Sequence, residues 1–193
     1  MQGETAERIL DAANTLLIDR GYSAFSYADI AETVKIRKAS IHHHFPTKAG
    51  LVVAVLKRHR SRILVGMKAL DEQIENPLVR IRNYFKYWEG CIEGHTLSFC
   101  IGALLAAEMP SLPEEVQAEV RLHFSVLTEW FERTLKAGSK ARTIQLKSTV
   151  ATEAQMLIAV LHGAMLSARA TDNCDVFRSL SQAEMNRISP AKQ

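Results

Sequence analysis

A chain of 193 residues, 47% hydrophobic and 23% charged, can bury one sizeable core or join a small module to a larger one. Such a composition excludes a fibre or a disordered tail, and apolar stretches such as Met156 to Leu161 are cut by His162 or by charges, so no membrane partner is expected. The net charge of +3 is unevenly placed: residues 1–62 carry 10 Lys/Arg against 6 Asp/Glu, and the remainder 14 against 15, which points the first third of the chain at a polyanion.

The elements, in chain order, are helices. Ile9, Ala12, Ala13, Leu16 and Leu17 form one stripe of a first helix that stops at Gly21. Ser26 and Asp29 have the spacing of a capping box, and Ile30, Ala31 and Val34 give the second helix, Tyr27 to Val34, its apolar face. After Lys35, Ile36 and Arg37, a third helix runs from Lys38 to Phe45, with Ile41 and Phe45 on one side and Pro46 as its stop. Thr47 caps a long fourth helix carrying Leu51, Val55, Leu56, Ile63, Met67 and Leu70. Asn76-Pro77 opens a fifth, with Leu78, Ile81, Phe85, Trp88 and Ile92 at helical spacing up to Gly94.

A sixth helix is expected from Ser98 to Met109 before Pro110, and a seventh from a Ser111/Glu114 capping box to Gly138. Ser139 to Lys147 reads as a basic loop, Ser148 to Ala170 as an apolar eighth helix, and Asp172 or Asn173 as the cap of a ninth containing Val176, Phe177 and Leu180. No strand alternation is present, so the fold class is all-α with nine helices. The N-terminus shows no secretory signal, which implies a reducing cytoplasm. Cys91, Cys100 and Cys174, odd in number and without metal-ligand spacing, then read as thiols rather than a disulfide framework.

Two short helices joined by a three-residue turn within the basic third describe a helix-turn-helix, whose second helix enters the DNA major groove. Side chains near that helix's start do the reading, here Lys38, Ala39 and Ser40. The runs Ile9-Leu10-Asp11-Ala12-Ala13, Arg20-Gly21-Tyr22, Tyr27-Ala28-Asp29-Ile30-Ala31 and Lys38-Ala39-Ser40-Ile41-His42-His43-His44-Phe45-Pro46-Thr47-Lys48, with Leu51, resemble the DNA-binding domain of the tetracycline-repressor (TetR) family. The resemblance covers about fifty residues in register, which makes it far more specific than one short motif. It implies a dimeric regulator with a DNA-binding domain over residues 1–48 and a helical ligand-binding and dimerisation domain over 49–193. Such a regulator is usually a repressor, released from double-stranded operator DNA by a small-molecule effector, and needs no cofactor.

The chain departs from the family pattern at Lys35, where the turn usually has Gly, at Arg37 and Ala39, where Ser and Gly are frequent, and at His42, in place of a frequent Tyr. By chemistry, Lys38 and Ser40, helped by Arg37, are assigned to base edges; His42, His43, Thr47 and Lys48, with Ser26 and Tyr27 on the opposite groove edge, are assigned to phosphates. Consecutive residues His42, His43 and His44 point about 100° apart on a helix and cannot converge on one metal ion. Glu89 and Glu93 lack a partner site, and no nucleophile constellation or phosphate loop is present, so an enzyme is not expected. A constitutive or architectural DNA binder is the alternative.

Phe85, Trp88, Cys100, Met109, His123 and Phe124 are candidates to line a cavity for a lipophilic or electrophilic effector. Ala159, Gly163 and Ser167 repeat at helical spacing and allow close approach of another helix, which marks a homodimer interface. Cys100, near the start of the sixth helix and one turn from His95, is expected to be a thiolate.

Overall fold

The computed structural model describes residues 2–94 and 99–190. Among these the chain forms nine α-helices and no strand: α1 (Gln2–Arg20), α2 (Tyr27–Val34), α3 (Lys38–His44), α4 (Lys48–Gln73), α5 (Pro77–Glu93), α6 (Ile101–Ala107), α7 (Glu114–Lys140), α8 (Val150–Thr171) and α9 (Cys174–Ile188). They are gathered into two compact units, one of Met1–Arg62 with Cys100–His123, the other of Ile63–Phe99 with Phe124–Gln193. The opening of α4, all of α6 and the first part of α7 therefore pack in the same unit as the helix-turn-helix.

In the first unit the buried stripe of α1, with Ile9, Ala13 and Leu17 almost fully covered, shares its core with Ile30, Ile41, Leu51 and Val52. Charged side chains fix the helices around it. Arg58 of α4 pairs with Glu7 and Asp11 of α1, both at 2.8 Å, and Arg8 of α1 donates to the Val34 carbonyl at the end of α2 (2.7 Å). Ser26 caps α2 with both halves of the capping box present, and Thr47 accepts from the Gly50 N–H at 3.0 Å at the start of α4. Gly21 takes a left-handed φ of 77°, where the carboxylate of Glu108 sits in the space a Cβ would need.

In the second unit α8 packs on α9 and α9 on α5. Glu153, fully buried on α8, is the polar centre of this packing: Arg187 of α9 reaches it at 2.5 Å and the Lys147 N–H at 2.8 Å. The guanidinium holds the Glu153 carboxyl below its ordinary pKa, so one buried charge ties together α8, α9 and the segment before α8.

Several boundaries differ from the sequence expectations. α6 starts at Ile101 with Cys100 as its N-cap, and ends at Ala107, after which Met109–Ser111 forms a separate 3-10 turn. Ser98 and His95, the expected cap and neighbour, lie outside the described residues. Ser111 does not form a capping box, because its hydroxyl donates to the Glu108 carbonyl at 2.9 Å inside that turn. Gly138 does not stop α7; it is small because the Ile144 side chain folds back onto it. α8 starts at Val150 rather than Ser148, with Thr149 as its cap, and of the two candidates Asn173 caps α9, while Asp172 adopts a left-handed φ of 48° that closes α8. α8 is also long and apolar enough, by length and composition, to cross a membrane, with a mean hydropathy of 1.3; one His and its flanking charges do not shorten it as expected from the sequence.

Lys35 occupies the left-handed position at the end of α2, with φ 58° and ψ 49°, where the family pattern usually has Gly. A β-carbon in this region costs about 1–2 kcal/mol. The side chain is exposed, so Lys35→Gly should stabilise the protein by about 1 kcal/mol, read as a higher denaturation midpoint at unchanged slope. A lower midpoint would mean that the turn is not strained.

Candidate nucleic-acid interface

The second helix of the pair is short, seven residues, and enters without a side-chain cap, because Arg37 stands at the N-cap position and makes no such bond. What fixes it is burial on one side and a polar anchor at its end. Ile41 is fully buried, and the Phe45 carbonyl, at the C-cap, accepts a hydrogen bond from the Tyr27 hydroxyl at 2.7 Å. With Ile41 turned inward, the start of α3 presents Arg37, Lys38 and Ala39 to solvent and leaves Ser40 half-buried, while His42 and His43 are exposed further along. Thr47, just before α4, is exposed as well.

Three of the residues assigned to phosphates carry structural duties as well. Tyr27 is buried, and its hydroxyl is spent on the Phe45 carbonyl; burial pushes its pKa up to about 12. Its place is in the core beneath α3, not at a free groove edge, and a sequence cannot distinguish these when an aromatic opens a short helix. Lys48 turns its ammonium inward, donating to the Phe25 carbonyl at 2.5 Å and lying over the Phe25 and Tyr22 rings at 4.2 and 4.7 Å. Partial burial lowers its pKa. The exposed Ser26 accepts from the Ala28 N–H at 3.2 Å and donates to Asp29 at 2.7 Å, so its hydroxyl is committed to the cap. The His42 ring rests 4.7 Å from the Tyr27 ring with its Nδ1 3.4 Å from the Pro46 carbonyl.

Of the expected effector lining, Phe85, Trp88 and Phe124 belong to the second unit and Cys100, Met109 and His123 to the first. Phe85 and Trp88 are buried in the core of the second unit, and Met109 sits half-buried in the 3-10 turn of the first. Phe124 meets the ring of His162 edge-on, centroids 5.4 Å apart, within the second unit. A cleft of about 320 Å³ lies there between α5, α8 and α9, lined by Ile92, Glu93, Arg169, Asp172 and Asn173 among others.

Cys100 and His123 do meet, with His59, a residue that composition and spacing gave no reason to single out. Cys100 is 1% exposed, and burial pushes its thiol up to about 11 although the Gly102 and Ala103 N–H groups pull the other way. The thiolate expected from its place at a helix start is thus overturned: desolvation outweighs the helix terminus.

His162 carries a testable consequence. Burial lowers its pKa to about 4, so it is neutral in the folded protein at pH 7. An unfolded His titrates near 6.5, and between these values the unfolded chain binds more protons, so stability is full above about pH 6.5 and falls as the pH drops toward 4. His162→Leu should flatten this part of a denaturation-versus-pH curve; an unchanged slope would mean that the imidazole is not desolvated.

Comparisons with known proteins agree with this geometry. Residues 9–55 match the family described as bacterial regulatory proteins, tetR family, and residues 77–183 match the tetracyclin repressor-like C-terminal domain. The transcriptional repressor NemR of Escherichia coli K12 is 25% identical over 169 residues, 86% of this chain and 84% of that protein. A TetR-family regulator from Agrobacterium tumefaciens superimposes with a TM-score of 0.96 at 43% identity, covering 98% of this chain and 100% of its own. NemR in its reduced form superimposes with a TM-score of 0.83 over 97% of this chain and 100% of its own at 23% identity, a likeness of fold. With more than half of the chain matched, the helix-turn-helix built by α2 and α3 belongs to a member of the TetR family of ligand-responsive, DNA-binding transcriptional regulators.

Proposed function

We propose that the protein is a repressor that binds a two-fold-symmetric operator as a homodimer through α3 and is released by a small-molecule effector. The observation that carries this reading is the exposed row Arg37, Lys38, Ala39, His42 and His43 on a short helix whose opposite side is anchored by Ile41 and Tyr27. Its cationic start matches guanine acceptors in the major groove, and its imidazoles and Thr47 match phosphate oxygens. Lys48, whose ammonium is engaged, acts by holding Phe25 and the entry to α2. The DNA-binding role falls to residues 1–48 and the effector and dimer roles to 49–193, in a chain that acts by binding rather than by catalysis. A repressor role is supported by the likeness to the transcriptional repressor NemR of Escherichia coli.

Communication to the reading helices is supported by one contact inside the first unit. Glu108, at the C-cap of α6, accepts from the Tyr22 N–H at 2.9 Å and fills the space beside Gly21, at the entry to the helix-turn-helix. A shift of α6 therefore changes the footing of α2.

The dimer reading is supported by α8 and α9. Ala159 and Gly163 are exposed, nothing lies within 4 Å of a Cβ placed on Gly163, and Met156, Leu166 and Leu180 expose 38%, 57% and 42% of their surface. An apolar helix with only 39% of its most hydrophobic window buried by its own chain leaves a face for a second copy.

Two outcomes test the proposal. Lys38→Ala should cost about 1–3 kcal/mol on a DNA site selected in vitro and relax base preference, leaving the denaturation midpoint within about 0.5 kcal/mol of wild type. Unchanged affinity and preference would remove α3 as the reading helix. Gly163→Leu should shift the protein from dimer to monomer in light scattering and weaken operator binding with it; a stable dimer would place the interface elsewhere.

A further inference from the structure

His59 on α4, Cys100 at the N-cap of α6 and His123 on α7 bring one sulfur and two imidazole nitrogens together in the first unit, all three residues buried and all donor atoms within 4.8 Å of one another. The Cys100 Sγ lies 3.3 Å from the His123 Nε2 and 3.7 Å from the His59 Nε2. A metal bound at about 2.3 Å from sulfur and about 2.0 Å from nitrogen, with bond angles of 109–120°, separates those donors by about 3.5–3.7 Å. The edge to His59 is therefore already that of a coordinated ion, and the edge to His123 is a few tenths of an ångström shorter. The two rings lie 5.4 Å apart at their centroids.

The surroundings hold the three groups in place. Gly102, two residues after Cys100, lets the His123 ring pack where a β-carbon would collide with it. Arg60, beside His59, pairs with Glu119, one helical turn before His123, and Lys57 meets the same carboxylate at 3.7 Å. α4 and α7 are thus clamped a single turn away from the donors. A solvated surface role is closed to residues 7%, 1% and 2% exposed.

We propose that His59, Cys100 and His123 form a binding site for a soft d10 metal ion, with monovalent copper, Cu(I), as the ion it favours. Thiolate and imidazole are soft and borderline ligands, and a trigonal His2Cys set is one that copper accepts, whereas zinc sites of this kind need a fourth ligand. On binding, the Cys100 S–H bond breaks, its proton passes to solvent, and the sulfur bonds the ion; no electron is exchanged. Cu(I) and one thiolate sum to zero charge, which suits a buried site, whereas Zn(II) would leave a net positive charge out of water. This inference goes beyond the regulatory reading and does not depend on it, since the binding is measured without DNA.

The test is anaerobic titration of the full chain with Cu(I) against a chromophoric Cu(I) chelator, followed by X-ray absorption at the copper edge. One ion per chain is expected to be withdrawn from the chelator, with one sulfur and two nitrogens in its first shell. Cys100→Ser and His123→Ala should each weaken binding by more than the roughly 10–100-fold that loss of an outer hydrogen-bond partner costs. The spectrum of the wild-type protein reports the ligands even if a variant fails to fold. Failure to compete with the chelator, a shell without sulfur, unchanged binding by Cys100→Ser, or retention of Zn(II) in preference to Cu(I) would overturn the proposal.

Discussion

A helix of seven residues cannot hold itself together, because nucleation is costly and only a few hydrogen bonds repay it. α3 also lacks a side-chain cap, so its conformation depends on tertiary contacts. The decisive ones are the burial of Ile41 and the bond from the Tyr27 hydroxyl to the Phe45 carbonyl, which fix the near side and the far end of the helix. Three further contacts in the first unit serve that placement. Arg8 completes the end of α2, Arg58 binds α4 to α1, and the inward ammonium of Lys48 secures the segment leading into α2. The exposed row on α3 can be varied for sequence preference because none of these supports passes through it.

That separation explains the departures of this chain from its family pattern. Lys35 in a left-handed conformation and Arg37 at an unsatisfied N-cap both weaken the turn locally, and both add positive charge where a polyanion would lie. Strain at a functional surface can persist when the surrounding packing over-determines the fold. His42 in place of the frequent Tyr keeps ring packing on Tyr27 while presenting an imidazole to solvent.

Local signals in the sequence carried the local structure. The Ser26/Asp29 box, the cap at Asn76 ahead of Pro77, and the buried stripe of α1 are all fixed by residues within one or two turns of each other, and each is found as read. The same signals misled where a competing partner lay close by: the Ser111 hydroxyl prefers the Glu108 carbonyl, and Gly138 is small for Ile144 rather than for a helix end. Burial was the property least legible. Tyr27 and Lys48 face inward and Cys100 is sealed from solvent, and nothing in their immediate neighbours says so. The triad of His59, Cys100 and His123 was invisible for the same reason, since its members are 41 and 23 positions apart and meet only through the packing of α4, α6 and α7.

The central claim is that α3, held from beneath, is the surface that meets DNA. Amide hydrogen exchange, followed with and without a duplex selected for binding, tests it most directly. The account predicts added protection on DNA binding over residues 37–48 and at the start of α2, with the second unit unchanged there by direct contact. Protection confined to α5, α8 or α9, with the amides of α3 exchanging as in the free protein, would contradict it.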